Sequence, residues 1–266
     1  MRAGTFDHLL EQKTRAWWRS SVRVGAVLGV ILLSALHVGL FDIPRLVEGV
    51  PSIFSLLKEM FPPDFGEAPK WLKPLVDTLT MSIAGTALAV GFSLPLAFLA
   101  ARNTTPHPWV YQLARGVLNG LRAVPELIMG IIFVAAVGFG ALPGVLALGL
   151  HSVGMVGKFF AEAIEHVNPA PVEAARAAGG TPVQVMFHAI LAQVMPQLAD
   201  VSIYRWEYNF RASTVMGMVG AGGIGFELMA SLRIMQYQEV SAILIVILLM
   251  VTVVDAFSSF LRRRFK

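Results

Sequence analysis

The 266-residue chain contains no cysteine. Disulfide frameworks, thiolate metal sites and cysteine nucleophiles are excluded with it, although the absence names no compartment. Charge is scarce too: 14% of residues are Asp, Glu, Lys or Arg, against about 25% in a soluble domain. With 56% hydrophobic residues and a mean hydropathy of +0.67, the composition is that of an integral membrane protein. The net charge of +4 does not point to nucleic acid, because the cations gather at the ends of apolar segments and form no basic face interleaved with aromatics. No Gly-Lys-Ser/Thr occurs, so the chain has no P-loop with which to bind ATP. The histidines, His8, His37, His107, His151, His166 and His188, are scattered, with no HExxH or close pair, and read as structural.

What is present is long apolar runs. Stretches of about 20 such residues predict spans near 22–41, 75–101, 116–139, 142–160, 198–219 and 240–261. The fold class is therefore an all-α polytopic bundle of about six transmembrane helices. Arg15, Arg19 and Arg23 precede or open the first span, Arg102 and Arg115 flank the loop after the second, and Arg262, Arg263, Arg264 and Lys266 close the chain. By the positive-inside rule these regions, and both termini, are expected in the cytoplasm. Residues 1–21 then form a cytoplasmic N-terminal segment and 22–266 a single transmembrane domain. Its loop 42–74 lies outside, and its loop 161–197 lies in the cytoplasm. The first apolar run exceeds the 7–15 residues of a signal-peptide core and reads as a retained span. Val47 to Met60 can lie as a short amphipathic helix on the surface. Gly25 with Gly29 and Gly116 with Gly120 offer shallow helical faces for packing, and Pro95 and Pro125 are expected to bend their spans.

The loop 161–197 carries Glu173-Ala174-Ala175-Arg176-Ala177-Ala178-Gly179. A segment this polar belongs in water, where it can serve as a handle for a soluble partner. Pro169 and Pro171 break the chain before Val172, which puts Glu173 in a first helical turn beside exposed amides. Gly179-Gly180 stops that helix, and Thr181-Pro182 supplies an N-cap and first position for a second one running to about Leu191. Glu162, Glu165 and Glu173 read as a solvated acidic face with no companion nucleophile.

At these residues the chain resembles the permease subunits of binding-protein-dependent ABC importers, whose signature is Glu-Ala-Ala, three residues, Gly, nine residues, Ile, one residue, Leu-Pro. Glu173, Ala174, Ala175, Gly179 and Leu191 match; Ala189 stands where isoleucine is usual and Ala192 where proline is usual. Three further strings, Arg122-Ala123-Val124-Pro125-Glu126, His151-Ser152-Val153-Gly154 with Gly157-Lys158, and Tyr204 through Ala212, resemble the phosphonate-type branch, which includes phosphite transporters. The resemblance implies a type I importer permease of the bacterial inner membrane that has no enzymatic activity of its own. Glu173, Ala174, Ala175 and Gly179 would dock on an ATPase subunit, which binds the ATP and Mg; this chain needs no cofactor. The other implied partners are a periplasmic or lipid-anchored substrate-binding protein, a second permease copy and membrane lipid.

The fifth span holds Asp200, Arg205, Glu207 and Arg211, each costing on the order of 2.5–3.5 kcal/mol to insert. At 100° per residue, Asp200, Tyr204, Glu207 and Arg211 share one stripe, and Ser202, Arg205, Asn209 and Ser213 nearly the opposite one. Glu207 and Arg211 can simply pair at i,i+4. Alternatively one stripe lines the passage, and Arg205, with Asn209 and Ser202 and no carboxylate on its stripe, is then the candidate to attract an oxyanion. Gly220-Ala221-Gly222-Gly223-Ile224-Gly225 fits Gly-x-Gly-x-x-Gly but follows a membrane helix and not a strand, which argues against dinucleotide binding. Gly220, Gly222, Gly223 and Gly225 form either an outer gate or a structural turn. The competing function, a self-contained anion transporter or channel, ranks lower because neither an internal repeat nor a matched pair of broken helices is evident.

Overall fold

The computed structural model describes residues 3–265, and Met1, Arg2 and Lys266 lie outside the described residues. The chain falls into two compact units, Met1–Lys58 and Glu59–Lys266. In the first, α1 (Ala3–His37) is one helix whose Trp17–His37 stretch is long and apolar enough to cross a membrane. It is followed by α2 (Ile43–Glu59), which starts four residues earlier than the amphipathic pattern predicts and carries Pro51 inside it.

The second unit opens with a short 3₁₀ turn (Ala68–Trp71) and continues as α3 (Leu72–Ala100), α4 (Pro108–Ala123), α5 (Glu126–Val137), α6 (Ala141–Glu165), α7 (Pro169–Ala177), α8 (Pro182–Val185), α9 (Ala192–Met216), α10 (Ile224–Arg233) and α11 (Tyr237–Phe265). Among the described residues there is no β-strand. Among the described residues, four helices are long and apolar enough to span, and six spans result if each of two bent pairs counts as one.

Those bends are sharper than the sequence suggests. The expected span 116–139 is α4 and α5 meeting at 85°. Pro125 has no N–H and drives the residue before it out of the helical region, and Val124 is accordingly extended at φ −89°, ψ 120°. The second coupling-loop helix does not stop at Leu191. It runs from α8 through a π-helical stretch, Met186–Leu191, directly into α9. A second π stretch, Gly217–Ala221, ends α9, and α10 leaves at 56°. Two bent helix pairs thus exist, one at the Pro125 bend that the sequence suggests and one at the glycine run after α9. The loop 161–197 shrinks correspondingly, because α6 extends to Glu165.

Helix α6 is the hub, packing against α3, α4, α5 and α9. Lipid is as apolar as leucine, so such packing depends on close approach more than on burial. Glycines on α6 permit it. A Cβ on Gly154 would lie 2.6 Å from the Leu118 carbonyl oxygen of α4, and one on Gly149 would lie 3.3 Å from the Gly85 carbonyl oxygen of α3. The sequence-predicted pairs do not take this role: a Cβ at Gly25, Gly29, Gly116 or Gly120 meets nothing within 4 Å.

Candidate functional site

Helix α7 begins three residues, nearly one turn, earlier than its prolines suggest. Asn168 is the N-cap, its side chain accepting from the Ala170 amide at 3.0 Å, with Pro169 at the first position. Proline is tolerated throughout the first turn because those amides have no intrahelical partner, so Pro171 does not delay the start. Glu173 therefore sits in the second turn and not beside the free amides. The C-terminus closes as a Schellman motif. The Gly180 amide donates to Ala175 at 3.1 Å and the Gly179 amide to Arg176 at 3.0 Å, with Gly179 at φ +81°. Thr181 then caps α8 in a capping box with Gln184.

Buried Val172 anchors α7, while Glu173, Ala174 and Gly179 are exposed and Ala175 is half-buried. Gln193 of α9 clasps the turn that enters α7: its Oε1 accepts from the Asn168 amide at 3.1 Å and its Nε2 donates to the Ala189 carbonyl at 2.7 Å. Beside α7 lies a cavity of about 490 Å³ bordered by Asn103, Arg176, Pro182, Val183 and Met186. Glu165 is no free acidic group. It takes Arg115 at 3.0 Å and the Arg102 amide at 2.9 Å, and Glu162 faces Lys158 at 3.8 Å.

Inside the bundle, Arg205 is buried to 2% exposure. Its Nε donates to the Ser152 hydroxyl at 2.7 Å, Nη1 contacts Met155 Sδ at 3.6 Å, and the guanidinium lies 4.2 Å from the Tyr208 ring centre. Ser152 in turn donates to Asn209 Oδ1 at 3.0 Å, and Asn209 Nδ2 donates to Thr86 at 2.9 Å. Arg205 and Asn209 are therefore joined through Ser152. Ser202 is not in the group, its hydroxyl being spent on the Leu198 carbonyl at 2.7 Å.

Arg205 has no carboxylate on its own stripe, yet α5 brings one. Glu126 Oε2 faces Arg205 Nη2 and His151 Nε2 at 4.0 Å each, and Glu126 Oε1 accepts from the Tyr208 hydroxyl at 3.1 Å. Both Glu126 Oε2 and Arg205 Nη2 are buried with no hydrogen-bond partner among the described residues. His151 Nδ1 meets the Val124 carbonyl at 3.1 Å, which ties the α4–α5 break to α6. Glu126, His151, Ser152 and Tyr208 all belong to the three strings quoted above, so the signal for this convergence was in the sequence without its geometry.

Glu207 and Arg211, on the other side of α9, are paired with each other. Helix α11 completes the network: Arg262 reaches Glu207 at 3.0 Å and Asp255 reaches Arg211 at 3.1 Å. Sequence reasoning gave Asp255 no role and used Arg262 only for topology, since nothing local marks either as facing α9.

The glycine run is a tight turn between α9 and α10. Gly220, Gly222 and Gly223 have φ of +101°, +75° and +73°, and the Ile224 amide donates to Thr78 Oγ1 at 2.9 Å. A Cβ on Gly225 would lie 1.7 Å from the Thr214 carbonyl oxygen, so that position admits glycine alone.

The chain is 71% identical over 260 residues to the phosphite transport system permease protein PtxC of Stutzerimonas stutzeri, covering 98% of this chain and 94% of that one. It is 44% identical over 218 residues to the phosphate-import permease protein PhnE of Mycolicibacterium smegmatis, covering 82% of this chain and 41% of the relative. Among solved structures, the inward-facing MetNI methionine ABC transporter aligns with a TM-score of 0.65 at 19% identity, over 74% of this chain and 96% of that one, which shows the type I importer fold. Residues 93–266 match the model of the binding-protein-dependent transport system inner membrane component family, and the chain belongs to that family.

Proposed function

We propose that this chain is the path-forming subunit of an importer that carries phosphite, or a closely related phosphorus oxyanion, across the inner membrane. The observation that carries this reading is the 71% identity to a phosphite permease along 98% of the chain. Lacking a P-loop, the subunit draws its energy from ATPase subunits in other chains, and a binding protein outside delivers the cargo. A second copy of the permease completes the path. Both termini and α7 face the cytoplasm, in keeping with the arginines near them.

Coupling runs through α7. A capped, nine-residue helix with exposed Glu173, Ala174 and Gly179 is a rigid surface feature. Its grip by Gln193 leads straight to α9, the helix that carries Arg205. Movement of α7 by a closing ATPase is thereby delivered to the interior without a flexible joint. Arg205, set among Ser152, Asn209 and Tyr208, offers the interior cation for a tetrahedral oxyanion in transit.

The test is uptake of labelled phosphite and phosphate into vesicles holding this chain with its ATPase and binding protein, with Glu173→Lys and Gly179→Asp alongside. ATP-dependent phosphite uptake, lost in both variants while the chain still inserts, is the expected result. Uptake without any ATPase would return the self-contained transporter to first place, and preference for phosphate would move the cargo assignment.

A further inference from the structure

Two opposed atoms in the bundle interior have no hydrogen-bond partner among the described residues. Arg205 Nη2 lacks an acceptor and Glu126 Oε2 lacks a donor, although they face each other at 4.0 Å. A buried unmet donor or acceptor costs about 1–3 kcal/mol, more for charged groups, so a further polar group that reaches both atoms would be stabilised here. Tyr208 lies across both groups and is 37% exposed where Arg205 beneath it is 2% exposed. Its ring stacks on the guanidinium at 4.2 Å and its hydroxyl holds Glu126 Oε1 at 3.1 Å.

Resting on the phosphorus-oxyanion reading above, we propose that Tyr208 is the lid of a transit site for the singly protonated form of that anion. Arg205 Nη2 donates to a bare P–O oxygen, and Glu126 Oε2 accepts the proton of P–OH. Ser152 and Met155 fix the other guanidinium nitrogens, so Nη2 remains the free donor. His151 Nε2 lies 4.0 Å from the same carboxylate oxygen, and its Nδ1 meets the Val124 carbonyl at 3.1 Å.

The carboxylate has two effects. It offsets the arginine's charge, so that the anion is not trapped in the path. It also demands a P–OH, because an anion with bare oxygens alone would meet Glu126 Oε2 without a proton to share. A site built to bond a substrate hydroxyl rejects an analogue lacking it far more strongly than apolar contact could. The exchange is simple: Tyr208 swings outward, the anion bridges Arg205 and Glu126, and the lid's return accompanies release.

The experiment measures uptake of phosphite and of hypophosphite, which carries the same single charge and no P–OH. Vesicles contain the complete transporter at one fixed, mildly acidic pH. The binding protein is common to every sample, so its preference cancels when variants are compared. Glu126→Gln is expected to reduce the phosphite-to-hypophosphite ratio of kcat/KM about tenfold, and Tyr208→Phe to reduce it less, since it frees Glu126 without altering its charge. An unchanged ratio in Glu126→Gln overturns the proposal, whatever happens to total uptake. If that variant fails to assemble, Tyr208→Phe decides, and an unchanged ratio there has the same force. Loss of ATP-driven uptake of both anions by the wild-type complex would instead strike the proposed function.

Discussion

Arg205 and Glu207 stand two residues apart on α9 and live in opposite circumstances. Glu207 is fully engaged: Arg211 takes one oxygen and Arg262 of α11 the other, while Asp255 holds Arg211 from beyond. Arg205 is more deeply buried yet less well matched, with one nitrogen left open toward Glu126. A closed network of charges between two helices serves position. A buried cation with an unmet donor beneath an aromatic ring is arranged for something that comes and goes. Two charges that cost the same to insert therefore do different work, and their partners reveal which.

The largest effect that separates them is on stability. Glu207→Gln leaves Arg211 and Arg262 facing each other over a neutral amide, and removing one partner of a buried pair costs about 3–5 kcal/mol. Thermal unfolding in nanodiscs should show a loss near the lower end of that range, because Arg211 and Arg262 are partly exposed. Arg205→Lys keeps the charge but gives up the planar fork that bonds Ser152 through one nitrogen while turning another toward Glu126. Uptake per assembled complex should fall about tenfold, near 1.4 kcal/mol, with a smaller change in unfolding than Glu207→Gln produces. The smallest effect is expected at Asp255→Asn, which leaves Arg211 paired with Glu207. With side chains 45% and 40% exposed, the Arg211–Asp255 pair is worth about 1 kcal/mol or less, and uptake should stay near wild type. An Asp255 variant that stops transport while leaving unfolding unchanged would break the contrast.

How far the sequence exposed all this depends on the range over which each signal acts. Around α7 the signals are local, and Gly179, Gly180 and Thr181 stop and start helices where the residues suggested. Glu173 sits one turn further into α7 than the prolines suggest, because a first helical turn accepts both Pro169 and Pro171. The six apolar runs were legible by composition, but the 85° turn at Pro125 and the two π stretches depend on how neighbouring helices complete the freed backbone groups, which no local pattern encodes. Helical periodicity sorted Arg205 and Glu207 onto different faces of α9. It could not supply Glu126 from α5, Ser152 from α6 or Arg262 from α11, because those contacts bridge 53 to 82 residues of chain.

The most direct measurement sets Arg205→Lys and Glu207→Gln side by side in the same vesicles, recording phosphite uptake per assembled transporter together with thermal unfolding. Arg205→Lys should lose most of its uptake and keep most of its stability, whereas Glu207→Gln should lose stability while the complexes that remain assembled carry phosphite at close to the wild-type rate. The reverse pattern, with transport failing at Glu207 and intact at Arg205, would contradict the division of labour drawn here.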